Sequence, residues 1–340
     1  MIIKKRNAMT VVSFLNYQKA VFFVAELCLT SFLTTTALAE PANEASFNNR
    51  TINIGPRWKK GDIQRYEMIK SRRKIQNEKV MLDVTSRTDI TIEVLSVRND
   101  GAVLAWTPGE TRVDDADSQN QILLQKMSNL FKGYRMIFEV DANGVILKIQ
   151  NWPQMQATGR KMIALMIGEL IAKKFAPEQV DKIHSQILSM LASEEQFLLV
   201  FAREPRALFF GMGEELTLGQ PTPIPCDVEN PLGEGLMPIQ AQLTLEKIDK
   251  KANVAHLAWS QTVKEHSHQQ PSDKSLKSFT RKFRKSDSDS SPVFSLIGQG
   301  TYDLDLSTGW VREFTTTRII KTGHTTHENR LTMTMEHGAQ

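Results

Sequence analysis

The chain has 340 residues, 41% hydrophobic and 24% charged, with 42 Lys and Arg against 38 Asp and Glu and a formal net charge of +4. Lys4, Lys5, Arg6, Lys19 and Glu26 carry +3 of it, so without its first 39 residues the chain is almost neutral at +1; bulk charge then gives no argument for a nucleic-acid partner, and none is expected. Cys28 and Cys226 are the only cysteines, which excludes a disulfide-stapled scaffold, and a chain of this length can bury a core that needs no staple.

Lys4, Lys5 and Arg6 precede an apolar run from Ala20 to Leu33, followed by Ala37-Leu38-Ala39. A basic start, a short apolar stretch and a small-x-small site are the parts of a secretory signal peptide. Glu26 interrupts the run, which is also shorter than the roughly 20 apolar residues of a membrane-spanning helix. The expectation is a signal peptide over 1–39, cleavage near Ala39, a periplasmic or extracellular mature chain, and no transmembrane span within it. Cys226 would then be the only thiol left. Residues 40–56, with Asn43, Asn48, Asn49 and Asn53, read as a flexible lead-in.

Residues 57–152 read as a first β unit. Ile90, Ile92 and Val94 alternate with Thr91 and Glu93, the period of a strand with one wet face. Asn99-Asp100-Gly101 then predicts a tight hairpin, because these residues tolerate the positive φ of primed turns. Within this unit Ile122, Leu123, Met127, Leu130 and Phe131 have helical spacing over 119–131.

Residues 153–203 read as a helical insert. Met162, Ile163, Met166, Ile167, Leu170 and Ile171 recur at three- and four-residue steps. Pro177 suits the first turn of a second helix, striped by Val180, Ile183, Ile187, Leu188 and Leu191. Ser193 followed by Gln196 resembles a capping box for a third. Such helices cover one face of a β-sheet. In the sharper reading they close over an apolar cavity, with Met162, Met166, Leu170, Ile187 and Met190 as an adaptable ligand lining.

Residues 204–340 read as a second β unit. Pro221, Pro223, Pro225, Pro231 and Pro238 predict a loop at its start, since proline removes backbone donors. Residues 264–292, which include Ser286-Asp-Ser-Asp-Ser-Ser291, are expected to be a mobile surface loop. Within that loop Lys277, Phe279, Arg281 and Phe283 mix cations with aromatics and form a candidate interaction surface, on a basic edge strand or on an amphipathic helix.

The two β units share a pattern. Residues 90–107 and 243–260 align without a gap and coincide at Thr91/Thr244, Glu93/Glu246, Ala102/Ala255, Leu104/Leu257, Ala105/Ala258 and Trp106/Trp259. Further on, Phe138 to Gly144 matches Tyr302 to Gly309 with one inserted residue: an aromatic, an Asp three positions later, then a Gly-containing turn. This predicts a duplication. The fold class expected is α+β, with two duplicated, curved antiparallel β units and a helical insert between them.

No catalytic signature stands out. There is no Gly-x-Ser-x-Gly elbow, and Cys226 has no histidine near it in sequence. His266 and His268, and His324, His327 and Glu328, lack diagnostic metal spacing, so neither a metal site nor a cofactor is expected. The reading is an exported, non-enzymatic cell-envelope protein that binds an apolar or amphipathic ligand such as lipid between sheet and helices. Its alternatives are a module that binds an envelope protein partner or assists envelope assembly, and a hydrolase whose site is not readable from sequence.

Overall fold

The computed structural model describes residues 51–115, 125, 128–129, 132–172, 177–229, 236–264 and 294–336. The expected signal peptide, residues 40–50 of the lead-in, and nearly all of the loop expected at 264–292 lie outside them. Lys277, Phe279, Arg281 and Phe283 are among the residues not described.

The protein is largely β, with few helices. In chain order its elements are β1 (Thr51–Asn53), β2 (Ile63–Gln76), β3 (Lys79–Arg98), β4 (Gly101–Asp115), β5 (Met136–Asp141), β6 (Ile146–Ile149), α1 (Trp152–Ala172), α2 (Pro177–Met190), α3 (Glu194–Phe201), α4 (Arg203–Leu208), β7 (Glu215–Thr217), β8 (Pro221–Glu229), β9 (Leu236–Asp249), β10 (Val254–Lys264), β11 (Phe294–Asp305), β12 (Val311–Thr322) and β13 (Thr325–Met335). Eleven strands form one antiparallel sheet in the order β6-β5-β4-β3-β2-β13-β12-β11-β10-β9-β8, and β1 pairs with β7 in a separate ribbon.

Two meanders, β2 to β6 and β8 to β13, are joined edge to edge where Tyr66 faces Met335 and Gln76 faces Thr325. The sequence predicts two β units; their fusion into one continuous sheet is the structure's addition. Nothing local in the sequence encodes it, because the joining strands lie at opposite ends of the described chain.

Alternation decides which face is buried. Tyr66 and Met68 on β2, Ile90, Ile92 and Val94 on β3, Leu104 and Trp106 on β4, and Phe138 and Val140 on β5 all belong to one core. Leu243 and Leu245 on β9, Leu257 and Trp259 on β10, Tyr302 and Leu304 on β11, Phe314 on β12 and Met333 on β13 continue it across the other meander. Met155, Phe197, Ala207, Leu208 and Phe209 close it from the helical side. Each fully buried side chain of this kind contributes about 1.5–3 kcal/mol before entropy is charged against it.

Both hairpins carry their tryptophan on the buried face, in different registers. Trp106 lies opposite Ile92, and Trp259 lies opposite Leu243, the position that aligns with Ile90. The slip is two residues, an even number, so side-chain facing is preserved. Turn length accounts for it: the first hairpin turns through Asn99 and Asp100, the second through four residues, Lys250 to Asn253. The next pairing keeps its register, with Leu104 opposite Phe138 and Leu257 opposite Tyr302.

Several local expectations change. The first hairpin forms at Asn99-Asp100, but neither residue has positive φ; Gly101 does, at 154°, and a Cβ there would meet the Val140 carbonyl oxygen at 2.0 Å. The turn with two positive-φ residues is Asn77-Glu78, between β2 and β3. Residues 51–53, expected within the flexible lead-in, instead form β1, and the following Ile54 and Trp58 are buried. Pro221, Pro223 and Pro225, expected in a loop, lie in strand β8. Spaced two apart, the three prolines turn their donor-less nitrogens to one side, and β8 is an outer strand of the sheet, so the ladder to β9 is spared. Of the helix expected at 119–131, Gln125 and Ser128 are described and are helical.

Candidate functional site

Helices α1 and α2 carry the residues that the sequence offers as a ligand lining. Trp152-Pro153 opens α1, which needs no backbone donor from proline in its first turn. Met155, Met162, Ile163 and Met166 on α1 are buried. Met155 and Ile163 join the main core, whereas Met162 and Met166 lie outside it. The same helix exposes Leu165 and Ile171, at 66% and 61%. Leu170, Ile187 and Met190 lie on α1 and α2, with side chains outside the described set.

α3 begins at the expected cap. The Ser193 side chain accepts from the Gln196 backbone amide at 3.2 Å, which satisfies one of the first-turn donors. The structure shows this side of the box; what it adds is a bond from the Ile149 amide to Glu194, in short contact, that ties α3 to β6. Phe197 then stacks on Phe201 at 4.3 Å and meets Trp152 at 5.2 Å.

α4 and the turn after it are held by aromatic side chains of the second meander and by Trp58, which precedes β2. The Tyr302 hydroxyl donates to the Ala207 carbonyl at 3.0 Å, and Tyr302 stacks on Phe314. Trp58 packs between Phe209 and Trp310, at 5.2 and 5.0 Å. Phe210 tilts against Trp259 at 5.5 Å. Burial pushes the Tyr66 phenol well above its usual range, so it remains a neutral donor to the Val311 carbonyl at 2.8 Å.

Beyond Met68 the same face becomes cationic. Regular pairing places Lys70, Arg72 and Lys74 of β2 in line with Tyr66 and Met68, opposite Leu331, Asn329 and His327 of β13. Thr316 and Arg318 of β12 continue the row, opposite Leu331 and Asn329. Arg203 and Glu204 of α4 approach from above. These side chains surround a pocket of about 50 Å³ lined by Lys70, Arg72, Arg203, Glu204, Thr316 and Arg318 among others. Arg318 is 2% exposed, Thr316 3% and Arg203 6%. Lys70 forms a short ion pair with Glu204. Burial works against ionising Glu204, but Lys70, by charge and hydrogen bond, outweighs it with help from Arg203, and the carboxyl lies below its usual range.

Sequence reasoning missed this polar band. Its signal was present: on β2 one strand face reads Tyr66, Met68, Lys70, Arg72, Lys74, a switch from apolar to basic without a change of period.

Comparisons with known proteins add little. No protein-family model and no curated protein matches the chain. A solved structure titled "Lipid-protein interactions in lipovitellin" is similar to it at a TM-score of 0.40 and 11% identity, over 83% of this chain and 26% of that one. The chain thus spans about a quarter of that structure's length.

On the opposite face of the sheet, His256 and Asp303 lie 2.7 Å apart across β10 and β11, while Gln150, Arg98 and Lys148 converge on Glu139 and hold its carboxyl down at about 2. Among the described residues, no three His, Cys, Asp or Glu side chains are grouped to hold a metal ion. No described helix is long and apolar enough to cross a membrane.

Proposed function

We propose that this is an exported, non-enzymatic cell-envelope protein that binds an apolar or amphipathic molecule, lipid foremost, between the helices and the sheet. One observation carries the reading. Helix α1 buries Met162 and Met166 away from the main core while leaving Leu165 and Ile171 in water, so it carries more apolar surface than the core consumes. Surplus apolar surface on a helix beside a buried sheet face is what a hydrophobic ligand would cover. Met162, Met166, Leu170, Ile187 and Met190 are the lining in this proposal, and methionine side chains adapt to ligands of varied shape.

The same proposal takes the two β units as curved copies of one ancestor. Two observations support the copying: Leu104 faces Phe138 as Leu257 faces Tyr302, and Asp141 and Asp305 each close the following turn through Oδ1, before Gly144 and Gly309 at φ 77° and 71°. Export rests on the basic, apolar and Ala37-Leu38-Ala39 segments of residues 1–39. The domain limits carried with it are 57–152, 153–203 and 204–340.

Native mass spectrometry of the protein purified from its own host tests the ligand. A co-purifying lipid, lost when Met162 and Met166 are both replaced by Gln, is the expected result. A clean apo mass after gentle extraction, together with no binding of a fluorescent fatty-acid analogue, overturns it. The second reading, an envelope-assembly module, is favoured by Val145 and Leu147, exposed at 56% and 55% around the start of the outer strand β6.

A further inference from the structure

Helix α1 is apolar on two sides. Its inward side buries Met155, Met162, Ile163 and Met166. Ala164, Leu165, Gly168, Ile171 and Ala172 are all exposed, and their spacing puts them together on the outward side. Two glycines mark the difference: a Cβ on Gly159 would meet Leu191 at 2.7 Å, and a Cβ on Gly168 would meet nothing within 4 Å. A helix that is apolar all round is ordinarily covered all round, and a contiguous apolar face left in water marks a docking surface. Charge says what docks there. Arg160 and Lys161 are exposed at the N-terminal end of this face. The sequence runs on past Ala172 into Lys173 and Lys174, and Glu169 is the only acid between residues 160 and 174. Cations flanking an apolar helical stretch suit a helix that lies in a membrane interface, where their stems follow apolar surface and their heads reach anionic head groups. A second copy of the chain fits this face less well, because packing two such helices together would oppose charges of like sign.

We propose that the outward side of α1 docks the protein on a bilayer surface that carries anionic lipid, with Leu165 and Ile171 entering the interface and Arg160 and Lys161 reaching its head groups. The proposal shares a helix with the lipid reading above but does not rest on it. The ligand lining of that reading uses Met162 and Met166 on the inward side, and the bilayer meets the other side. The docking face ends at α2, whose exposed Glu178 and Asp181 an anionic surface repels.

The test is co-sedimentation of the protein, purified from its own host, with vesicles of palmitoyl-oleoyl phosphatidylcholine, either alone or mixed with roughly one-third of the matching phosphatidylglycerol. The variants sit at exposed positions and leave the core untouched: Leu165→Gln with Ile171→Gln, Arg160→Gln with Lys161→Gln, and Gly168→Leu. Wild type is expected to bind the mixed vesicles about tenfold or more tightly than the neutral ones, since each cation near an anionic surface is worth about fivefold. Each double variant is expected to cut binding to the mixed vesicles about tenfold. Gly168→Leu fills open space with apolar surface and is expected to raise it about threefold or more. Equal binding to the two kinds of vesicle, no binding to either, or binding that either double variant leaves unchanged overturns the docking face. So does a dimer in sedimentation velocity that Leu165→Gln with Ile171→Gln dissolves. The fluorescent fatty-acid analogue scores the lipid reading separately. Analogue binding without vesicle binding sinks the docking face alone, and vesicle binding without analogue binding sinks the lipid reading alone.

Discussion

Trp259 lies across the sheet from Gly300, and its indole Nε1 sits 2.2 Å from where a Cβ on residue 300 would be. The Thr315 carbonyl oxygen lies 2.3 Å from the same point, so the backbone blocks the space even where the indole gives way. Gly300→Ala is therefore expected to destabilise the protein by about 2–3 kcal/mol through overpacking. Urea unfolding followed by tryptophan emission measures it, and an unchanged midpoint would refute the close approach.

The Tyr302 hydroxyl links the sheet to α4 through the Ala207 carbonyl. Removing it in Tyr302→Phe leaves a buried acceptor without that donor, at an expected loss of about 1–2 kcal/mol. Hydrogen exchange should speed up at residues 206–210 more than at β2 or β3. Uniform acceleration across the chain would mean that the bond does not anchor this helix locally.

Phe197 is fully buried between Trp152 and Phe201. Phe197→Ala is expected to cost about 3–5 kcal/mol, the range for emptying an aromatic site in a packed core. The expected companion is loss of helical signal in circular dichroism at lower urea than loss of the β signal, because α1 and α3 meet at this ring.

Asp305 titrates against acid. Desolvation raises its pKa, but Ser307, Arg312 and the amides of Ser307 and Thr308 outweigh it and bring the carboxyl from 3.8 to about 2. A carboxyl lowered on folding stabilises the folded state fully above its unfolded pKa, and that share is lost as pH falls through the folded one. Stability should thus decline between about pH 4 and pH 2, and Asp305→Asn should flatten part of that slope while lowering stability at pH 7. Thermal midpoints across this window decide it; parallel curves for the two proteins would count against the assignment.

Much of the architecture is legible from alternation alone. Ile90, Ile92 and Val94 point inward as their period requires, and Ser193 caps α3 where the spacing places it. The prolines of β8 misled because proline was judged by number and not by phase: at every second position it spares the ladder. The basic pocket was illegible for a different reason. Lys70 and Arg72 read as solvated strand residues until β12, β13 and α4 bring Thr316, Arg318 and Glu204 to them, and no local period reports a neighbour more than 100 residues away.

The pairing of Tyr66 with Met335 has a temporal consequence. During synthesis the early meander can zip as it emerges, and so can the later one, but the seam between them must wait for the final strand, β13. Until then β2 presents fourteen residues of open hydrogen-bonding edge. Assembly of this sheet therefore finishes at its middle, and the nascent chain is most exposed to wrong partners where the finished protein is most enclosed.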